Sequence, residues 1–155
     1  MEQAAYTRPN HIAQFERFFR AAAGLDIDKE DLRRYLDFID RKIHDLLIRG
    51  EAAAKANGRD IIQASDLPIT KGLQESIHAF REIVGAEELR QILDRLIPRP
   101  PLDLAIGDSA DERLAEIGGG LSLALARCFK IIEPELKNPQ TAHWERSFQI
   151  FDLLL

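Results

Sequence analysis

One uninterrupted apolar stripe of about thirty residues constrains the fold of this chain more than any other feature of its sequence. From Asp28 to Asn57 apolar residues recur every three or four positions, which is the spacing of one face of an α-helix. Asp28 precedes an acidic first turn and suits an N-cap, and Gly58 suits the residue that ends the helix. Such a helix is roughly 45 Å long at ~1.5 Å per residue. Since neighbours along the chain cannot cover that length, we expect a partner of similar length to cross it.

The second half of the sequence offers that partner. Its apolar stripe runs from Leu114 to Ile132 and ends before Pro134. Ser109, with Glu112 three residues later, predicts a capping box at the start of this helix.

Three consecutive glycines, Gly118-Gly119-Gly120, lie inside the second stripe. A phosphate-binding loop requires a preceding strand and a following Lys-Ser or Lys-Thr, whereas Leu121-Ser122-Leu123 follows here. We interpret the glycines as a close crossing point of the two long helices, at about 1 kcal/mol each in helix propensity. We also expect a local kink or break at this point.

Shorter amphipathic segments flank both stripes, so that the order short–long–short occurs twice. We predict short helices over His11–Ala23, from a cap at Ser65 or Asp66 to about Gly85, over Ala86–Ile97 and over Thr141–Leu155. The second of these carries Pro68 in its first turn. Residues 59–63 are extended but too few for a sheet strand of their own. The prediction is an all-α fold in which residues 1–155 form a single domain of two paired units, 11–84 and 85–155.

Composition limits the classes of protein to which this chain can belong. Apolar residues make up 45% of it, enough for a core, and a net charge of −5 argues against a general phosphate-binding surface. A single cysteine, Cys128, permits no disulfide within the chain and is typical of a reducing, cytoplasmic compartment. No stretch approaches the ~18 apolar residues of a membrane span, and the first ten residues lack the apolar core of a signal peptide. We therefore expect a soluble, cytoplasmic protein that contacts no membrane.

The sequence after the first stripe resembles an archaeal histone. Gly58-Arg59 is followed by Asp66, seven residues after the arginine, and residues 11–83 fit the histone pattern without a gap. The whole chain is similar to a prokaryotic family of uncharacterised function in which two histone folds are joined in one polypeptide. The motifs that carry this likeness are Gln63–Gly72, Trp144–Arg146 and Phe151–Leu154.

The resemblance implies a histone fold whose two short–long–short units pair as a pseudodimer. It also implies that Arg59 clamps Asp66 across the loop through two charge-assisted hydrogen bonds. The second unit is more divergent and lacks this loop signature.

The same resemblance implies a DNA-binding surface on the first helix and the loops. The candidate DNA-binding residues are Arg17, Arg20 and Arg59. However, Asp26 and Asp60 stand where the loops of an archaeal histone carry arginine and lysine, and Ile61 replaces a small hydroxyl residue. Since each neutralised phosphate contributes about one unit to the salt dependence of binding, we expect DNA binding to be weak at most.

No catalytic or metal-binding constellation can be assembled from the sequence. Asp40 and His44 form an i, i+4 pair on the first long helix, but a metal site needs three or four convergent ligands. Cys128 lies on the apolar stripe, where a thiol is usually a small buried hydrophobe. Arg33, Arg34 and Arg41 alternate with acidic residues, including Asp31, and are interpreted as a solvated outer face. We expect no enzyme activity, no cofactor and no small-molecule substrate.

Two functions fit these observations. The first is a non-enzymatic histone-fold protein with weak or vestigial DNA binding, which would associate with the nucleoid. The second is an adaptor or oligomerisation module that binds another protein or a second copy without nucleic acid. The terminal Leu153-Leu154-Leu155 either packs back on the core or marks a contact between chains.

Overall fold

The computed structural model describes residues 9–155, and within them the chain forms six α-helices. The helices are α1 (Pro9–Ala23), α2 (Lys29–Ala56), α3 (Lys71–Phe80), α4 (Ala86–Leu96), α5 (Asp108–Ile132) and α6 (Thr141–Leu154). The predicted order short–long–short recurs in α1–α3 and α4–α6, and the described chain is all-α apart from two strands of two residues each, β1 (Ile61–Ile62) and β2 (Ala105–Ile106). No helix of residues 9–155 is long and apolar enough to cross a membrane.

The long helix α2 begins and ends where the sequence predicts. The Asp28 carboxylate accepts a hydrogen bond from the backbone N–H of Asp31, and the Asp31 carboxylate accepts one from the backbone N–H of Asp28. This reciprocal capping satisfies two of the free donors at the helix start. The helix continues for 28 residues to Ala56, and Gly58 follows with a positive φ of 69°.

The start of α3 is a correction to the prediction. Residues 64–66 form one turn of 3₁₀ helix, after which Leu67 is extended with φ −71° and ψ 129°. Pro68 causes this interruption, because a proline disfavours the helical conformation of the residue before it. The helix begins only at Lys71, where the Thr70 hydroxyl accepts a hydrogen bond from Leu73 N–H. It also ends at Phe80, and a turn of residues 81–85 leads to α4.

The predicted capping box of α5 is also wrong. The helix begins at Asp108 with Gly107 as its N-cap, two residues before the predicted cap at Ser109. The Ser109 hydroxyl accepts a hydrogen bond from the backbone N–H of Ala64, at 3.1 Å, and so serves the 3₁₀ turn of the other half of the chain. Ser109 therefore bonds to a residue 45 positions away along the chain and does not cap its own helix.

The glycine run is close-packed, but its main partner differs from the expected one. Helix α5 continues through Gly118, Gly119 and Gly120 without the predicted break. A Cβ at Gly119 would overlap the ring of Phe80, and one at Gly120 would lie 2.5 Å from Cγ1 of Ile77 and 3.0 Å from its backbone nitrogen. Gly119 and Gly120 therefore accommodate the short helix α3, whereas a Cβ at Gly118 would lie 3.1 Å from Ile97 and 3.7 Å from Ile39 of the other long helix.

All six helices contribute to a single buried cluster of apolar side chains. Members from α1 to α6 in order include Phe15, Ile39, Ile77, Leu89, Leu121 and Trp144. The two long helices touch inside this cluster, where Tyr35 of α2 and Ser122 of α5 share a 2.6 Å hydrogen bond. The two long helices therefore contact each other within one core that all six helices share.

The halves also meet at both ends through their loops. Strand β1 follows α2 and pairs in parallel with β2, which precedes α5, in the register Ile61 with Ala105 and Ile62 with Ile106. At the other end Asp26, between α1 and α2, donates its backbone N–H to the carbonyl of Lys137, between α5 and α6, at 2.7 Å. Residues 61–62 were expected to be too few for a strand, and they form one because a partner from the other half supplies the ladder.

Candidate functional site

The loop after α2 is fixed by the pair Arg59 and Asp66. The guanidinium donates through Nη1 and Nη2 to the two carboxylate oxygens of Asp66, at 2.5 Å each. The same carboxylate accepts the backbone N–H of Gln63 at 2.8 Å. The hydrogen bonds from Arg59, followed by the one from Gln63, lower the pKa of Asp66 from 3.8 to about 2. Two donors of Arg59 are therefore committed to holding its own loop, and the Asp66 side chain is only 3% exposed.

The other two candidate arginines, both on α1, are also paired with carboxylates. Arg17 Nη2 donates to Glu88 of α4 at 2.8 Å, which links the two halves. Arg20 Nη2 donates to Asp26, in the following loop, at 3.3 Å. Asp26 is the residue for which the resemblance to archaeal histones implies an arginine, and here its carboxylate pairs with Arg20. All three candidate DNA-binding arginines therefore face carboxylates within the chain.

The two loop junctions are rich in carboxylates. At the first junction Asp60 is exposed beside Ile61, which is 46% exposed, and Lys55 is paired with Asp103 at 3.0 Å. At the second junction lies a polar cavity of about 240 Å³. Its lining includes Asp26, Asp28, Glu30, Asp31, Arg34 and Asn138. Four of these six are carboxylates, which disfavours a phosphate in this cavity, whereas the exposed Lys29 and Lys137 beside it form no ion pair with the described residues.

Asp31 was assigned to a solvated outer face, and the structure corrects this. Its carboxylate is 8% exposed and accepts the indole N–H of Trp144 of α6 at 3.0 Å, in addition to capping α2. Burial raises the pKa of Asp31, whereas the hydrogen bonds from Asp28 and Trp144 act in the opposite direction. The spacing Asp28-x-x-Asp31 of a capping box was the available sequence signal.

A second contact between the halves was missed in the sequence. Lys42 of α2 is buried with its side chain 3% exposed, and its Nζ donates to Asp152 of α6 at 2.6 Å. This hydrogen bond lowers the pKa of Asp152. Lys42 follows Phe38 and Ile39 at helical spacing, so the periodicity of the stripe placed it near the core.

Three arginines of α2 that were predicted to form a solvated face have different environments. Arg33 is exposed, Arg34 donates to the Thr141 hydroxyl at 2.9 Å, and Arg41 lies over the ring of Phe148, 5.6 Å from its centroid.

The terminal leucines differ in burial. Leu155 packs against the core, whereas Leu153 and Leu154 are 85% and 73% exposed. Among the described residues no group of three or more His, Cys, Asp or Glu side chains could hold a metal ion.

Comparison with known proteins identifies relatives whose names state no activity. The sequence pattern of a family described as "Domain of unknown function (DUF1931)" matches residues 15–152. Two uncharacterized proteins of Aquifex aeolicus (strain VF5) are each 30% identical to the chain, one over 145 residues that cover 94% of this chain and 84% of that protein. The other match extends over 142 residues, 83% of each chain.

Two crystal structures share the fold. A protein from Thermus thermophilus is 49% identical, with a TM-score of 0.80 over 93% of this chain and 97% of that one. A protein from Aquifex aeolicus is 28% identical, with a TM-score of 0.83 over 96% of this chain and 98% of that one.

Proposed function

We propose a function for this protein from its geometry, because the chain belongs to the family described as a domain of unknown function (DUF1931), and that description states no activity. The proposal is a non-enzymatic, single-chain histone-fold module that binds another protein and does not wrap DNA. It is the second of the two functions that fit the sequence.

Three features support the histone-fold part of the proposal. Two short–long–short helical units occur in one chain, and their long helices meet at Tyr35 and Ser122. Loops of the two units meet at both ends, through β1 with β2 and through Asp26 with Lys137. The Arg59–Asp66 pair lies where the resemblance to archaeal histones implies it. Together these features favour two histone folds paired as a pseudodimer.

The observation that carries the functional part is the pairing of Arg17, Arg20 and Arg59 with carboxylates of the same chain. A phosphate that binds one of these arginines would lie close to the carboxylate that already pairs with it. The gain from neutralising a phosphate would then be largely cancelled, and the net charge of −5 adds a general repulsion.

A gel-shift titration with duplex DNA tests this proposal. We expect no shift at micromolar protein even at low salt. In the double variant Asp26→Arg/Asp60→Lys, which restores basic loops and frees Arg20, we expect binding that weakens steeply with salt. The matched control is Glu82→Arg/Glu145→Lys, which changes the net charge equally at two exposed positions outside the loop junctions. Tight binding by the unmodified protein, or equal binding by both double variants, would contradict the proposal.

The loop junction formed by β1 and β2 is the surface that we assign to a protein partner. It presents an exposed isoleucine, Ile61, next to the exposed Asp60, where a DNA-binding histone would present a hydroxyl and a cation. We expect the change Ile61→Asp to abolish cross-linking of a partner from cell extract, whereas Val84→Asp, at a 67% exposed valine elsewhere, leaves it unchanged. Equal loss in both variants would argue against this surface.

Weak DNA binding is the second candidate, and one observation favours it. The side chains of Arg17 and Arg20 are 49% and 64% exposed, and exposed ion pairs contribute at most about 1 kcal/mol. Both arginines can therefore exchange their carboxylates for phosphates at low salt. If the unmodified protein does shift DNA, Arg17→Gln/Arg20→Gln should reduce the slope of log affinity against log salt by about two units.

A further inference from the structure

An open apolar groove lies between α3, the second half of α5 and the end of α6. Its volume is about 520 Å³, within the range of about 300–1,000 Å³ that is usual for small-molecule sites. Its apolar lining includes Leu73, Ala124, Cys128, Ile131, Phe151 and Leu154. Several of these remain exposed, among them Ile131 at 81% and Leu154 at 73%. Neither loop junction nor any candidate DNA-binding residue forms part of this groove.

Among the described residues that line the groove, one has a charged side chain, and no carboxylate lies within ion-pair distance of it. Arg127 of α5 is exposed and forms no hydrogen bond or ion pair with the described residues. The described lining contains no aspartate or glutamate, and its remaining polar side chains are the hydroxyls of Thr70 and Ser76 and the thiol of Cys128. An unpaired guanidinium beside an apolar groove is complementary to a molecule with one anionic end and one apolar end.

We propose that this groove binds a free long-chain fatty acid, with the acyl chain along the apolar lining and the carboxylate on Arg127. The acyl chain removes apolar surface from water, and each methylene that enters the groove should increase affinity roughly fourfold. The carboxylate matches the planar donors of arginine and fixes the direction in which the chain lies.

Two other occupants fit the observations less well. In a symmetric dimer the same patch faces itself, so two copies would bring two arginines and no aspartate or glutamate side chain into the interface. A membrane surface requires a protruding apolar face and several basic residues, whereas this site is concave, has one unpaired arginine among its described lining residues and belongs to a chain of net charge −5.

The first test measures binding of fatty acids to the full chain by equilibrium dialysis, below the micellar concentration. We expect affinity to rise roughly fourfold per methylene from decanoate to tetradecanoate, and tetradecanol to bind more weakly than tetradecanoate. The variant Arg127→Gln should lose about tenfold in affinity for the acid and none for the alcohol. Arg146→Gln, at an exposed arginine of α6 that does not line the groove, is the matched control.

The second test locates the bound ligand. Cys128 is the single cysteine of the chain and lies in the groove, so its alkylation by a maleimide reports on this site. We expect tetradecanoate to slow the reaction in proportion to the fraction bound. A Ser76→Trp variant that keeps its melting temperature should fill the groove and abolish binding in dialysis.

Several outcomes would overturn the proposal. They are the absence of binding, equal affinity for acid and alcohol, and bound acid that neither protects Cys128 nor responds to Ser76→Trp. A protein that sediments as a dimer, with Cys128 protected in the absence of ligand, would show that a second copy covers the groove. Recruitment to phosphatidylglycerol vesicles, lost in Arg127→Gln, would assign the face to a membrane.

Discussion

The buried hydrogen bond between Tyr35 and Ser122 has a direction that follows from counting protons. The Ser122 hydroxyl has one proton, and it lies 2.6 Å from the carbonyl of Gly118, which can only accept. Ser122 therefore donates to Gly118, and Tyr35 donates to Ser122 at 2.6 Å. Burial raises the pKa of Tyr35, so its proton stays in place at all ordinary pH.

This direction predicts unequal effects of removing either hydroxyl. Tyr35→Phe leaves Ser122 bonded to Gly118 and should cost about 1 kcal/mol of unfolding free energy. Ser122→Ala leaves a buried phenol without an acceptor and should cost more, about 2–3 kcal/mol. Urea unfolding of both variants and of the double variant checks this. The double variant should be no less stable than Ser122→Ala, and the opposite ranking of the single variants would mean that the bond runs the other way.

The Arg59–Asp66 pair predicts a stability that depends on pH. Because the folded-state pKa of Asp66 lies near 2 and the unfolded value near 3.8, its contribution is present above about pH 4 and is lost as the pH falls towards 2. Asp66→Asn should therefore lower the melting temperature by several degrees near neutral pH and have little effect near pH 2. Lys71→Ala, which removes an exposed pair with Glu75, should change the melting temperature little at either pH.

Asp40 predicts the opposite pH dependence. Burial, and secondarily repulsion by Asp37, raises the pKa of Asp40 from 3.8 to about 6. Ionisation of Asp40 therefore disfavours the folded state as the pH rises from about 4 to 6, and the cost is complete above about pH 6. Asp40→Asn should raise the melting temperature at pH 7–8 and leave it unchanged below about pH 4, as measured by thermal unfolding across that range. A gain that is equal at every pH would exclude ionisation as its cause.

At the scale of the helix, a boundary could be predicted from the sequence only where the residues that set it are local. The limits of α2 were predictable because Asp28 and Gly58 act on their immediate neighbours. The start of α5 was not, because Ser109 bonds to Ala64 of the other half. The close packing of the glycine run could be inferred from its composition, but its partner could not, since α3 meets it only in the folded molecule.

The close packing of α5 on α3 predicts that one added methyl group at Gly120 destabilises the fold. Gly120→Ala places its Cβ against Ile77, including the rigid backbone, and should cost about 1–3 kcal/mol despite the better helix propensity of alanine. Gly72→Ala is the matched control within a helix, because nothing lies within 4 Å of its added Cβ, and it should gain about 0.5–1 kcal/mol. Chemical denaturation compares the two. Stabilisation by both changes would show that α3 and α5 pack less closely.

At the scale of the molecule, the all-α architecture and a contact between the two long helices could be predicted, because a long apolar stripe has few ways to be buried. The candidate site could be predicted only in part. The Arg59–Asp66 pair is close in sequence and was inferred from the resemblance to archaeal histones. The partner of Arg17, in contrast, is Glu88, 71 residues away, and Asp31 meets Trp144 across 113 residues. Such pairings decide whether a cation is available to a ligand, and periodicity carries no information about them.

The two halves of the chain are joined by the turn of residues 81–85, and this short connection keeps them close together. A linker this short holds the two units at an effective concentration on the order of millimolar. The association of the two units within one molecule is therefore independent of how much protein the cell makes. Dilution, which would dissociate subunits encoded separately, leaves this assembly intact.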